Sequence, residues 1–345
     1  MATEILVRIS KSDVEELSLA NDDPTEINSY TIPSNTYEIA DGAFSSLYNV
    51  ETIHIPESVT LIRDRSFQGI HHIPTETYSE LQSVHFEGND PKCLSIGELA
   101  FAHHMRLKKF AIPKNLETLG NFALMKTGIE RLIIPYSLKN ISRGSFYDMQ
   151  DLKYILFLDN EKHIHEQYNS KNKKKYNTLK KQQRERLQNH KNNLDVYLEG
   201  YNNMNTPAHL NSNPFVIFPG DTIGSKSEAV DLRGFDFSSV VFPKLYFKNV
   251  IMDETTYFTN ADMTNITYHP DVDKEFVKAN VHNALTLPPI LQKRLQSTIN
   301  ESMENSLPKY LIDIIAEKSN VKSTRKKGNK SNRKTKKQKR KSKDK

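Results

Sequence analysis

The first half of the chain repeats itself, and this periodicity narrows the fold more than any other feature of the sequence. Ile32-Pro33-Ser34, Ile55-Pro56-Glu57-Ser58, Ile112-Pro113-Lys114-Asn115 and Ile134-Pro135-Tyr136-Ser137 align with one another. Each is followed by an apolar residue at a helix-turn position (Ile39, Ile62, Leu119, Ile141), then by Phe44, Phe67, Leu124 or Phe146. An apolar triplet closes each copy: Val50, Ile53 and Ile55; Leu107, Phe110 and Ile112; Ile129, Leu132 and Ile134; Leu152, Ile155 and Phe157. A fifth copy, with Leu81, Val84, Phe86, Ile96, Ala100 and Phe101, lacks the Ile-Pro pair. The strand ends Ile32, Ile55, Phe86, Ile112, Ile134 and Phe157 lie 23, 31, 26, 22 and 23 residues apart, and the excess falls on insertions near 73–79 and 87–91.

A period in the low twenties cannot bury its own Ile and Phe within one copy. Stacking copies about 4.8 Å apart pairs their strands and joins the inward side chains into one core. Proline ends each ladder because it has no N–H to donate. The pattern resembles the BspA-type leucine-rich repeats over Thr31–Leu158. That resemblance implies a solenoid of about five coils, with one strand and one short return segment per coil, and a non-enzymatic scaffold that binds a protein partner. Such repeats are common on surface proteins, whereas MATEILVRISKSDVEEL shows neither the basic nor the apolar region of a secretory signal. No stretch reaches the roughly 20 apolar residues of a membrane helix. The expected location is intracellular.

In the triplet pattern, the residue between the last two apolar positions points to the concave face. This places His54, His85, Ala111, Ile133 and Leu156 there, with Thr52, Ser83, Lys109, Arg131 and Tyr154 two positions earlier. The face turns from polar to apolar along the solenoid. Its apolar end, Tyr154, Ile133 and Leu156, is either a ligand anchor or the seat of a cap made by the chain's own helix, and solenoid ends must be shielded.

Charge divides the chain. Net charge is +6, yet residues 322–345 carry 14 Lys/Arg against Asp344, so the remainder is acidic overall. This tail has no aliphatic or aromatic side chain to offset its ordering entropy and is expected to be disordered. Lys336, Lys337, Lys339, Arg340 and Lys341 form a cluster suited to nuclear targeting or to non-specific phosphate contact. The alternative function is therefore a nucleic-acid-associated protein. The tail lacks the aromatic residues that stack on bases. Lys162–Lys191 holds ten further Lys/Arg and reads as an exposed helix or pair of helices.

From 230 to 268 the apolar residues recur every five: Leu232, Phe237, Phe242, Phe247 and Met252, with partners two before, and one extra residue precedes Phe258. This resembles the pentapeptide repeats that wind into a square β-helix, and a short antiparallel sheet is the competing reading. The expected organisation is an α/β repeat protein. It comprises an N-terminal cap (1–31), a leucine-rich-repeat solenoid (32–158), a basic helical connector (159–200), a small β-rich segment (214–268), C-terminal helices (269–318) and the tail (319–345).

Chemistry is hard to find. Gly220–Ser227 has the look of a phosphate cradle, but Ser225 stands where a P-loop needs glycine before Lys226, so it reads as a turn. His71-His72, His103-His104 and His163/His165 lack the spacing of metal ligands and read as surface or turn histidines. Cys93 is the single cysteine and reads as a small buried apolar residue. No catalytic, cofactor or metal site is expected.

Overall fold

A computed structural model describes residues 7–14, 29–45, 50–69, 79–88, 91–159, 172–198, 214–279, 281 and 284–292. The basic tail, most of the 269–318 segment beyond 292, and residues 160–171 and 199–213 lie outside these. The chain divides into two compact units, 1–219 and 220–345.

The first unit is the solenoid. Its strands in chain order are β1 (Val7–Ile9), β2 (Ser29–Thr31), β3 (Thr36–Ile39), β4 (Thr52–Ile55), β5 (Leu61–Ile62) and β6 (Ser83–Phe86). Then come β7 (Ser95–Ile96), β8 (Lys109–Phe110), β9 (Thr118–Leu119), β10 (Arg131–Ile134), β11 (Asn140–Ile141) and β12 (Tyr154–Phe157). Helices α1 (Lys173–Asn192) and α2 (Leu194–Tyr197) precede β13 (Phe215–Ile217). All pairings are parallel. The apolar triplets build one side of each coil, as sheets β2-β4-β6-β8 and β10-β12-β13. The positions read as helix turns, Ile39, Ile62, Leu119 and Ile141, instead sit in a second, six-stranded sheet β1-β3-β5-β7-β9-β11. Each full coil thus carries two strands, the second marked by one buried aliphatic residue per coil.

Between the sheets lies a continuous core of Ile, Leu and Phe. Phe44 stacks on Phe67 at 4.8 Å and Phe67 on Phe101 at 4.9 Å, one ring per coil. Serine after the Ile-Pro pair tethers neighbouring coils: Ser58 Oγ donates to the Ser34 and Thr36 carbonyls, and Ser137 Oγ to those of Lys114 and Leu116. Cys93 is buried, and burial pushes its thiol up to about 12.

At two places the expected segmentation shifts. The N-terminal segment supplies an edge strand, since β1 pairs with β3. Residues 215–217, assigned from sequence to the second β segment, extend the solenoid by pairing with β12. The basic helix is therefore inserted within the coil that runs from β12 to β13.

The second unit is a smaller parallel coil, with strands β14 (Thr222–Ile223), β15 (Val230–Asp231), β16 (Leu245–Phe247), β17 (Val250–Ile251) and β18 (Ile266–Tyr268). One side is the sheet β14-β16-β18 and the next is β15-β17. Bridges Asp236↔Tyr257 and Val241↔Asp262↔Thr286 make two more. Every pairing is parallel, so the antiparallel reading fails. Four sides per turn follow from a five-residue period: Leu232, Phe237, Phe242, Phe247, Met252, Phe258 and Met263 are all buried. The extra residue before Phe258 is accommodated by a longer coil: Val230 pairs with Val250, 20 residues on, and Asp236 with Tyr257, 21 residues on. Helix α3 (Asp273–Lys278) adds Phe276 against Phe247, Phe258 and Tyr268.

Candidate functional site

The outward positions of β2-β4-β6-β8 make two columns. Ser29, Thr52, Ser83 and Lys109 are in register in the first, and Thr31, His54 and His85 in the second. Alternation along a strand sends these side chains away from the core that Ile53, Val84 and Phe110 enter. His54 and His85 stack at 5.1 Å with rings 21° apart. His54 Nδ1 lies 2.6 Å from Glu87 Oε1, and His85 Nε2 lies 2.7 Å from the Ser83 hydroxyl. His85, Lys109 and Ala111 are exposed, Thr52 and His54 are half-buried, and Ser83 is buried beneath His85. Beside these columns runs a charged row in which Glu130 pairs with Lys108 at 3.8 Å and Lys153 at 2.7 Å, and Glu80 pairs with Arg106. The surface is rich in donors and acceptors and can hold a polar partner segment.

Farther along, Arg131 and Ile133 in β10 are half-buried. Tyr154 and Leu156, expected on the open face, are buried at 1% and 0%, and Ile217 in register with Leu156 at 2%. Large apolar side chains of this size would be costly exposed to water, and here they are buried. Tyr154 and Leu156 are therefore inaccessible here, and the accessible outward positions lie between β2 and β10.

Helix α1 docks on the return side. Arg186 Nη1 donates to the Pro135 carbonyl at 3.1 Å and the Leu138 carbonyl at 3.4 Å, and its Nη2 to that of Leu158 at 2.7 Å. His190 Nε2 donates to the Leu138 carbonyl at 3.0 Å, and its Nδ1 accepts from the Tyr197 hydroxyl at 3.1 Å. In the coil before, the equivalent Leu116 carbonyl is met by Ser137 of the next coil. Two long side chains thus stand in for a coil that the sequence does not provide. Val196 and Tyr197 continue the turn ladder by accepting from the Gly144 and Phe146 amides.

Two histidines are core members rather than the surface groups that sequence suggests or ignores. His104 bridges the Phe67 carbonyl through Nε2 and the Ser79 hydroxyl through Nδ1. Burial pushes it down to about 4. Burial does the same to His190, also to about 4, with the nearby Arg186 adding to the effect against the Leu138 hydrogen bond. Nothing in the spacing of either histidine marks it as a core residue, and only the fold places it inside.

Among the described residues no group of three His, Cys, Asp or Glu could hold a metal ion, and no helix is long and apolar enough to cross a membrane. The tail residues Lys336, Lys337, Lys339, Arg340 and Lys341 lie outside the described set.

Comparison with known proteins gives the repeats a family. The profile described as "BspA type Leucine rich repeat region" matches in six copies at residues 22–86 and 71–188. No curated protein matches. Among solved structures, a leucine-rich repeat protein from Bacteroides ovatus is 22% identical over 37% of this chain and 33% of its own, with a TM-score of 0.32. The leucine-rich repeat protein of T. pallidum is 22% identical over 37% of this chain and 58% of its own, TM-score 0.33. One from Eubacterium ventriosum is 23% identical over 39% and 32%, TM-score 0.31. The chain therefore spans between about a third and three-fifths of these proteins. With two-stranded coils in register and the profile repeated across them, residues 22–188 of this chain are a BspA-type leucine-rich-repeat region.

Proposed function

We propose that the chain is a non-enzymatic scaffold that captures a protein partner on the open sheet face between β2 and β10. The observation that carries this reading is the contrast between the two sheets on this side of the coils, β2-β4-β6-β8 and β10-β12-β13. Where the outward residues are large and apolar the chain buries them, and where they are Thr52, His54, His85 and Lys109 it leaves them accessible. A β-surface with accessible polar groups suits recognition more than catalysis, because the hydroxyl next to an imidazole on it, Ser83 at 2.7 Å from His85 Nε2, is itself buried. The partner presents acceptors to Lys109 and a polar segment to the histidine pair. Capture from extract by the full chain, compared with His85→Asp and Lys109→Glu, tests this. Loss of one specific partner at unchanged melting temperature supports the reading, and equal capture by both variants overturns it.

The polybasic tail adds phosphate contact, a reading that rests on its sequence alone. Deleting 322–345 should abolish salt-sensitive nucleic-acid binding and leave partner capture intact.

A further inference from the structure

The turn Gly220–Ser227, which fails as a P-loop, borders a cavity of about 560 Å³ in the second unit. The cavity is lined by Ser225 and Lys226 from this turn, Lys248 and Asn249 before β17, and His269, Asp271, Lys274 and Glu275 around α3. Three coil segments thus bring three lysines to one opening. Of its two carboxylates, Glu275 accepts from the Met252 amide at 3.0 Å and from Lys278 at 2.9 Å, while Asp271 lies beside His269, whose Nδ1 accepts from the Asp271 amide, so three lysines face two carboxylates, one of them already paired. Among the described residues Lys226, Lys248 and Lys274 have no ion-pair or hydrogen-bond partner for their ammonium groups.

The rim is also held in shape. Gly224 has φ +83°, and a Cβ there would fall 1.9 Å from the Asn249 carbonyl oxygen, so only glycine lets the turn lie this close to Lys248-Asn249. Asn249 Nδ2 donates to the Ser225 carbonyl at 3.1 Å. The Ser225 amide donates to the Glu228 carbonyl, and the Glu228 amide to Ser225 Oγ. Lys226 is therefore presented from a fixed turn. Cations in excess of the carboxylates around a concavity attract oxyanions, and the volume exceeds that of a bare ion.

We propose that this cavity is a binding site for a small ligand bearing at least two oxyanion charges, of the phosphate or sulfate ester class, gripped by Lys226, Lys248 and Lys274. The recognition is by side chains, distinct from the backbone cradle of a P-loop. It is independent of the sheet face proposed above.

The test is calorimetric titration of the full chain with inorganic pyrophosphate, and separately with sulfate, in about 0.15 M chloride, a physiological ionic strength. A saturable one-site component should appear. It should weaken by about tenfold for each lysine removed in Lys226→Gln, Lys248→Gln and Lys274→Gln, the effect of losing one charge-assisted hydrogen bond. It should also weaken in Gly224→Ala, and persist in Lys244→Gln, whose side chain does not line the cavity. Binding of pyrophosphate but not sulfate identifies a phosphate site, and the reverse a sulfate site. Absence of a saturable component, or its survival in the triple lysine variant, overturns the proposal; in the latter case the tail is the binder.

Discussion

His104 and His190 each give a polar ring two partners in a dry interior, one donated to and one accepted from, and this works only while the ring is neutral. Both fold with values near 4, against about 6.5 in an unfolded chain. Above pH 6.5 neither state carries the proton and stability is insensitive to these groups. As pH falls from 6.5 toward 4 the unfolded chain takes up protons that the folded one refuses, so each histidine removes about 1.4 kcal/mol per pH unit. Denaturant midpoints measured between pH 7 and 4.5 should fall accordingly. His104→Gln should flatten the slope whatever it does to the midpoint at pH 7, and an unchanged slope would count against the buried, neutral ring. Glycine matters at the same scale. A Cβ on Gly120 would meet the Gly97 carbonyl carbon at 2.5 Å, and one on Gly97 the Arg63 carbonyl carbon at 2.6 Å. Gly120→Ala must therefore push adjacent coils apart, and urea unfolding should show a loss of about 1–3 kcal/mol, the cost of an overpacked site. Cys93, with its thiol pushed up to about 12, should resist a thiol reagent at pH 8 until the chain unfolds.

Among the elements, α1 depends most on one residue. Its sequence gives it little reason to dock: the first turn is Lys173-Lys174-Lys175, cations at the positive end of the helix dipole, and only His190 is buried. Arg186 supplies the anchor. Burial lowers its guanidinium to about 10, still charged at neutral pH, and its three bonds go to the carbonyls of Pro135, Leu138 and Leu158. Arg186→Met keeps the stem and removes the donors. Hydrogen exchange should then show α1 opening at least tenfold more readily, with the β2-β4-β6-β8 strands unchanged, because only the carbonyls of Pro135, Leu138 and Leu158 lose partners. Equal protection in α1 would mean that apolar contact alone holds it. The strands themselves were legible in the sequence, because Ile53, Val84, Leu132 and Ile155 repeat their spacing and their burial is the repeat. The second sheet was not, since two-residue strands such as Thr118–Leu119 and Asn140–Ile141 leave a single apolar residue as their mark, and a helix turn leaves the same mark.

At the scale of the whole molecule, each unit closes around its own aromatic interior. In the solenoid, Phe67 lies between Phe44 and Phe101, so Phe67→Ala opens a cavity shared by three coils. The expected loss is about 3–5 kcal/mol. Exchange should accelerate across 36–102 more than across 220–279, as stacked repeats couple to their neighbours. The open sheet face was also legible, through His54 and His85 between apolar positions. Its buried end was not: nothing in Tyr154 or Leu156 distinguishes a side chain awaiting a ligand from one already covered. The lysine-lined cavity was hidden for the opposite reason, as Lys226, Lys248 and Lys274 come together only through the winding of the second coil.

A row of parallel strands that ended with bare carbonyls would invite another molecule to add itself, and then another, as fibres do. On the return side of this solenoid the guanidinium of Arg186 and the imidazole of His190 occupy the turn carbonyls of Pro135, Leu138 and Leu158. A helix rich in positive charge is thus also a plug: it takes up acceptors at the turns that another chain would otherwise reach.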